Sequence, residues 1–153
     1  MSVLYDLRKA VQTLLLQDGL WNAGEVIIKR RSNLWNRVAT ALATSESGQC
    51  LVVGVAKGSP SGVQRTRSQQ LMMEVSIPVT LVELPNVDPD EILNPDGSDE
   101  DTRWEQTVMR LLGDPLGRSA EHYEMTFDGF EDIADEEYVI RQTTFKTKLL
   151  LKK

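Results

Sequence analysis

The sequence predicts a single α+β domain over residues 1–153, with helices packed against a mixed, largely antiparallel sheet of long strands. Three observations lead there. Apolar residues recur at three- and four-residue spacing in three separate segments, each of which reads as a helix. Two other segments, from Leu71 to Val82 and from Tyr138 to Leu151, alternate or are rich in β-branched residues over lengths beyond an ordinary strand. Turn-forming Gly, Pro and Asn separate these runs. The predicted element order is α-β-α-β-β-α-β-β.

Leu4, Leu7, Val11, Leu14 and Leu15 place one apolar stripe on the first helix, which Gly19 can end. After Trp21 and the turn Asn22-Ala23-Gly24, the β-branched Glu25–Lys29 reads as a short strand. Ser32 or Asn33 caps a second helix with Leu34, Trp35, Val38 and Leu42 on one face, ending near Gly48. Cys50 to Ala56 is an almost unbroken apolar run, as expected of a strand at the centre of a sheet. From Lys57 to Ser68 the chain is rich in Gly, Ser and Pro and reads as a polar loop.

Residues 70–84 then alternate with period two, and fully extended they would span roughly 50 Å at about 3.3 Å per residue. Pro78 lacks a backbone donor and predicts a bulge or an edge there. Pro85 to Asp101 holds three prolines, Gly97 and seven acidic residues, and reads as an acidic loop insert over residues 85–101. Thr102 and Glu105 form a capping box for the third helix, with Trp104, Val108, Leu111 and Leu112 on one face and Gly113 after it. Tyr123, Met125 and Phe127 alternate towards Asp128-Gly129, which has the signature of a tight turn. A second acidic cluster, Glu131, Asp132, Asp135, Glu136 and Glu137, is expected between elements, ahead of the final strand.

With 17 Lys and Arg against 23 Asp and Glu, the net charge is −6, which opposes nonspecific binding to duplex DNA or to anionic lipid. No run approaches a membrane span, and the charges at Asp6, Arg8 and Lys9 interrupt any secretory signal. One cysteine, Cys50, allows no internal disulfide and fits a buried apolar strand.

No reacting constellation stands out. His122 is the only histidine. An enzymatic reading would set it beside Glu121 and Glu124, and would need a pocket around the imidazole. Gly54 to Gly62 with Lys57 lacks the order of a phosphate-binding loop. The acidic insert offers many oxygens, but aligning Gly97 with the glycine of an EF-hand puts Ile92 and Arg103 at ligand positions, where neither can bind calcium. No catalytic, cofactor or metal site is therefore expected. The one basic concentration outside the strands is Lys57, Arg65 and Arg67, with no aromatic neighbour to stack on a base. These three form the candidate assembly interface, because a Gly- and Ser-rich connection lets their charges reach outward to an acidic neighbour.

The element order, with Leu4–Val11 on the first helix, Leu34–Val38 on the second and the run Leu71–Val79, resembles the tail-terminator family of long-tailed bacteriophages. The resemblance covers most of the chain as an arrangement of elements; the acidic insert is outside its pattern. It implies a non-enzymatic structural protein that forms a homo-hexameric ring on the end of the tail tube, stops tube polymerisation and offers its other face to the head-completion protein. Its implied partners are copies of itself, the tail tube protein and the head-completion protein, with no membrane or direct nucleic-acid recognition. Its implied place is the virion tail, assembled in the cytoplasm of the bacterial host. A different class of function consistent with the residues is a small binding or regulatory domain that recognises a peptide or basic partner through its acidic loops.

Overall fold

A computed structural model of the chain describes residues 2–29, 34–45, 47–60, 70–84, 102–113 and 124–152. Among the described residues, three α-helices, α1 (Val3–Leu15), α2 (Leu34–Thr44) and α3 (Thr102–Leu111), accompany six strands. The strands are β1 (Val26–Ile28), β2 (Gln49–Val53), β3 (Lys57–Pro60), β4 (Gln70–Glu83), β5 (Thr126–Ile133) and β6 (Val139–Lys152). They form one sheet in the order β1-β2-β4-β6-β5, with β3 also paired to β4. Only β1 and β2 run parallel. The α+β class and the mixed, mostly antiparallel sheet are those expected from the sequence.

The centre is the β4–β6 pair, two strands of 14 residues each in unbroken register from Gln70↔Lys152 to Glu83↔Val139. Their alternation sorts side chains by face. Val75, Ile77, Val79, Leu81, Phe145 and Leu149 point to one side, where they pack with Leu7, Val11 and Leu15 of α1 and Val108 and Leu111 of α3. On the other side α2 lays Val38, Ala41 and Leu42 on Ile27, Cys50, Val52, Val82 and Ile140. α2 therefore covers only the end of the sheet where β1, β2 and the start of β6 meet.

Several local expectations are corrected. Lys57–Pro60 is strand β3, not loop: β4 runs on past the end of β2, and its backbone groups there take the next segment of chain as partner. The pairs Val53↔Val79 and Lys57↔Ser76 enclose three residues on one side and two on the other, so between β2 and β3 the chain carries one extra residue against β4. The predicted strand Cys50–Ala56 accordingly runs only from Gln49 to Val53. Pro78 puts no bulge in β4, whose register with β6 continues through Pro78↔Thr144. Its carbonyl accepts from the Gly54 amide at 2.7 Å, so its missing donor faces the break between β2 and β3.

Asp128-Gly129 is not a hairpin turn. It is a bulge within β5, where the register shifts between Phe127 and Phe130 and Gly129 takes φ 110°. Glu131 and Asp132 thus lie inside a strand, not between elements. The turn comes later, where Asp135 Oδ1 accepts from the amides of Glu137 and Tyr138 at 2.7 and 3.0 Å. Trp35 is not on the buried face of α2; it is 53% exposed, since only Leu34, Val38, Ala41 and Leu42 turn toward the sheet. The acidic insert at 85–101 and the proposed caps Ser32 and Asn33 lie outside the described residues.

Candidate assembly surface

Three edges and one open face are where this fold can meet another molecule. The outward carbonyls of β1 are already bonded: Val26 O accepts from Gln12 Nε2 at 2.9 Å and Ile28 O from Arg37 Nη1 at 2.8 Å. Arg8 adds a bond to Lys29 O beyond the strand end. The outer edge of β5 has no strand partner among the described residues. It carries exposed Phe127 and Phe130 on the helix side, where Phe130 meets the Trp104 ring edge-on at 4.8 Å between centroids.

The open face lies beyond α2, along the β4–β6 pair. Register puts Met72, Glu74, Ser76, Pro78 and Thr80 of β4 there, opposite Leu150, Lys148, Lys146, Thr144 and Gln142 of β6. A row across the sheet reads Lys57, Ser76, Lys146, Thr126. With adjacent strands about 4.8 Å apart, the backbones of Lys57 and Lys146 are separated by roughly 10 Å. Lys146 Nζ bridges Glu74 at 3.6 Å and Asp128 at 3.4 Å, and both carboxylates hold its pKa above the usual value, Asp128 the more strongly. A shallow groove of about 630 Å³ opens at the Lys146–Thr126 end of this row, lined by Met72, Glu74, Glu124, Thr126, Lys146 and Lys148. Lys57 and Lys148 have no ion pair among the described residues.

Of the three residues expected to form an assembly interface, Lys57 is therefore an exposed residue of β3 on this face. Arg65 and Arg67 lie outside the described residues, and so do His122 and Glu121. Lys146, Lys148 and Glu74 were not singled out by sequence reasoning, although Thr144, Lys146 and Lys148 show the period-two polar set that marks an uncovered face. Among the described residues no group of three His, Cys, Asp or Glu is placed to hold a metal ion. No helix among them is long and apolar enough to cross a membrane.

A second polar centre is structural. The Glu25 carboxylate, on a residue only 3% exposed, accepts from Asn22 N at 2.8 Å, Ser45 Oγ at 2.6 Å and Ser47 Oγ at 2.8 Å. Arg103 Nη2 lies 3.4 Å from it and also donates to Leu20 O at 2.8 Å. Burial pushes the Glu25 carboxyl up, but the bonds from Ser45, Asn22 and Ser47 and the Arg103 charge together outweigh it and leave the pKa below its ordinary value. Every oxygen of this carboxylate is occupied by a stabilising donor, so it is a fastening between the β1, α2 and α3 corners and not a reactive acid.

Comparison with protein-family models finds none that matches the chain, and comparison with curated proteins finds no significant match.

Proposed function

We propose that this chain is a non-enzymatic assembly protein of the phage tail-completion kind, forming a ring at the end of a tail tube, stopping tube polymerisation and presenting a surface to the head. The observation that supports this reading is the open face of the β4–β6 pair. Two 14-residue strands are far longer than the usual five or six, and α2 covers only one end of the face they present. A long, rigid, polar face with charges of both signs suits repeated docking of like subunits, because its charges fix register and suppress wrong partners.

Under this reading Lys57 and Lys148 meet an acidic surface on an adjacent protomer or on the tube protein. Arg65 and Arg67 follow β3 in the sequence and, under the same reading, are expected to meet the same acidic partner. The partners are copies of this chain, the tube protein and the head-completion protein, and assembly takes place in the host cytoplasm before the ring joins the virion.

The test is mass in solution. Light scattering and negative-stain microscopy should find a ring of about 103 kDa, six copies of 17.2 kDa. Lys57→Glu with Lys148→Glu, and separately Arg65→Glu with Arg67→Glu, should leave the thermal midpoint nearly unchanged, because exposed charges contribute only about 0–1 kcal/mol. Both pairs should weaken the ring, most at low salt where screening is least. A strict monomer at about 0.5 mM, well above the Kd of ordinary oligomers, would reject the ring and favour a small binding or regulatory domain that recognises a peptide or basic partner through its acidic loops.

A further inference from the structure

Two of the three tryptophans already hold an arginine between the ring and a carboxylate. The guanidinium carbon of Arg103 lies 3.7 Å from the centroid of Trp21, and its Nη2 faces Glu25 Oε1 at 3.4 Å. The guanidinium carbon of Arg141 lies 4.8 Å from the centroid of Trp104 and 4.7 Å from that of Phe130, while its Nε bonds Asp132 Oδ1 at 2.7 Å. The same three-part arrangement of indole, cation and carboxylate thus occurs twice within this fold.

Among the described residues, Trp35 has the first and third parts without the second. One side of its ring stacks on Tyr138, with centroids 5.7 Å apart and planes 4° from parallel. Beside that stack the turn brings Asp135, Glu136 and Glu137, and these five residues line a depression of about 400 Å³. The turn is held by Asp135 Oδ1, which accepts the amides of Glu137 and Tyr138. Among the described residues none of the three carboxylates has an ion pair and no cation lies over the Trp35 ring. Arg37, two residues further along α2, is committed to Ile28 O.

We propose that the Trp35–Tyr138 stack and the Asp135–Glu137 turn form a docking site for an arginine side chain presented by a partner protein. An exposed indole beside fixed carboxylates gives a guanidinium both of the contacts it forms elsewhere in this molecule, stacking on the ring and forked pairing with oxygen. Arginine fits better than lysine: its plane lies against the ring while its fork reaches the turn, and it is more weakly hydrated. Exposed tryptophan is also the residue type that most often anchors protein interfaces. The site does not depend on ring formation, since all five residues belong to one protomer.

The test is titration of ¹⁵N-labelled protein with the peptide acetyl-Arg-Gly-Arg-Gly-Arg-amide, its lysine counterpart and its uncharged citrulline counterpart. The indole N–H of Trp35 and the amides of Glu136 to Tyr138 should shift saturably with the arginine peptide. The indoles of Trp21 and Trp104, whose arginines are already in place, should not. The lysine peptide should bind at least about threefold more weakly and the citrulline peptide not at all. Trp35→Ala, and Glu136→Gln with Glu137→Gln, should each lower the affinity about fivefold or more. Because these side chains are exposed, the thermal midpoint checks that both variants remain folded. No saturable shift up to about 10 mM peptide, weaker than any functional contact of this kind, would overturn the proposal. So would equal binding of the arginine and lysine peptides with shifts spread over all acidic residues.

Discussion

Replacing Glu25 tests how much of the fold rests on one buried carboxylate. In Glu25→Ala the amide of Asn22 and the hydroxyls of Ser45 and Ser47 lose their acceptor, and Arg103 loses its counter-charge. Breaking a buried pair from one side costs about 3–5 kcal/mol. Arg103 keeps Leu20 O at 2.8 and 3.0 Å, and Ser45 and Ser47 can still bond each other at 3.0 Å, so the lower end applies, about 3 kcal/mol. At about 2–4 °C per kcal/mol for a chain of this size, the thermal midpoint should fall by roughly 6–12 °C. Glu25→Gln is gentler. Its oxygen can keep Asn22 and Arg103 while its amide donates to the serine hydroxyls, which can turn to accept, and the loss is the charge alone, about 1–2 kcal/mol.

The lowered pKa gives the same pair of proteins a pH signature. A carboxylate whose folded pKa is depressed contributes stability that is fully present above its unfolded value, near 4.5, and is lost as pH falls through the lower folded value. The advantage of the natural protein over Glu25→Gln should therefore be constant at neutral pH and shrink as the pH drops below about 4.5. Urea unfolding at a series of pH values, with the slope m unchanged, measures it. A loss below about 1 kcal/mol for Glu25→Ala, or a Gln variant as costly as the Ala variant, would refute the network described above.

Cys50 is fully buried, and burial, with the nearby Glu25 charge, pushes its thiol up to about 12; a thiol reagent at pH 8 should label it only when the protein unfolds, and rapid labelling of the native protein would contradict this. Gly54→Ala places a methyl 2.5 Å from Pro78 Cγ and 3.1 Å from its carbonyl oxygen, and urea unfolding should show a loss of about 2 kcal/mol. Gly58→Ala meets only the flexible end of Met73 at 2.4 Å and should cost less than half as much. Trp104→Phe removes the 2.9 Å bond from its Nε1 to the buried Thr143 hydroxyl and should cost about 1–2 kcal/mol by thermal unfolding, whereas Trp35→Phe should cost almost nothing.

The architecture was legible in the sequence because the strongest signals were also the longest. The alternation of Leu71 to Leu81 and the stripes Leu7, Val11 and Val108, Leu111 each repeat a period often enough to fix an element and its buried face. Short-range signals failed where distant structure decided the outcome. Lys57-Gly58-Ser59-Pro60 has no strand character of its own and is extended only because β4 offers it an edge. Asp128-Gly129 has the residues of a tight turn, yet the left-handed glycine serves a bulge equally well, and pairing with β6 selects the bulge. Trp35 fits the apolar spacing of α2 but falls at its margin. The Glu25–Arg103 pair, 78 residues apart, leaves no local trace. Arg103 drew notice in the sequence only as a residue that could not bind calcium.

Among the described residues the edges along β1, β3 and β5 are each guarded in their own way, and the guards constrain how copies can associate. The carbonyls of β1 are bonded by Gln12 and Arg37. β3 is four residues long and ends in Pro60, which has no amide hydrogen. β5 is longer, but it is bent by the bulge at Gly129 and carries Asp128, Glu131 and Asp132, so a second β5 laid against it would set carboxylate against carboxylate. Sheet-to-sheet extension is thus opposed along β1, β3 and β5. In the proposed assembly the contacts would use side chains on faces, where the rows through Lys57, Lys146 and Lys148 offer charge and the Trp35 turn offers an aromatic anchor. A contact built from exposed charges gains encounter rate and register more than affinity. Under the proposed assembly, a ring dissolved by salt yet unaffected by substitutions along the β5 edge is the expected behaviour.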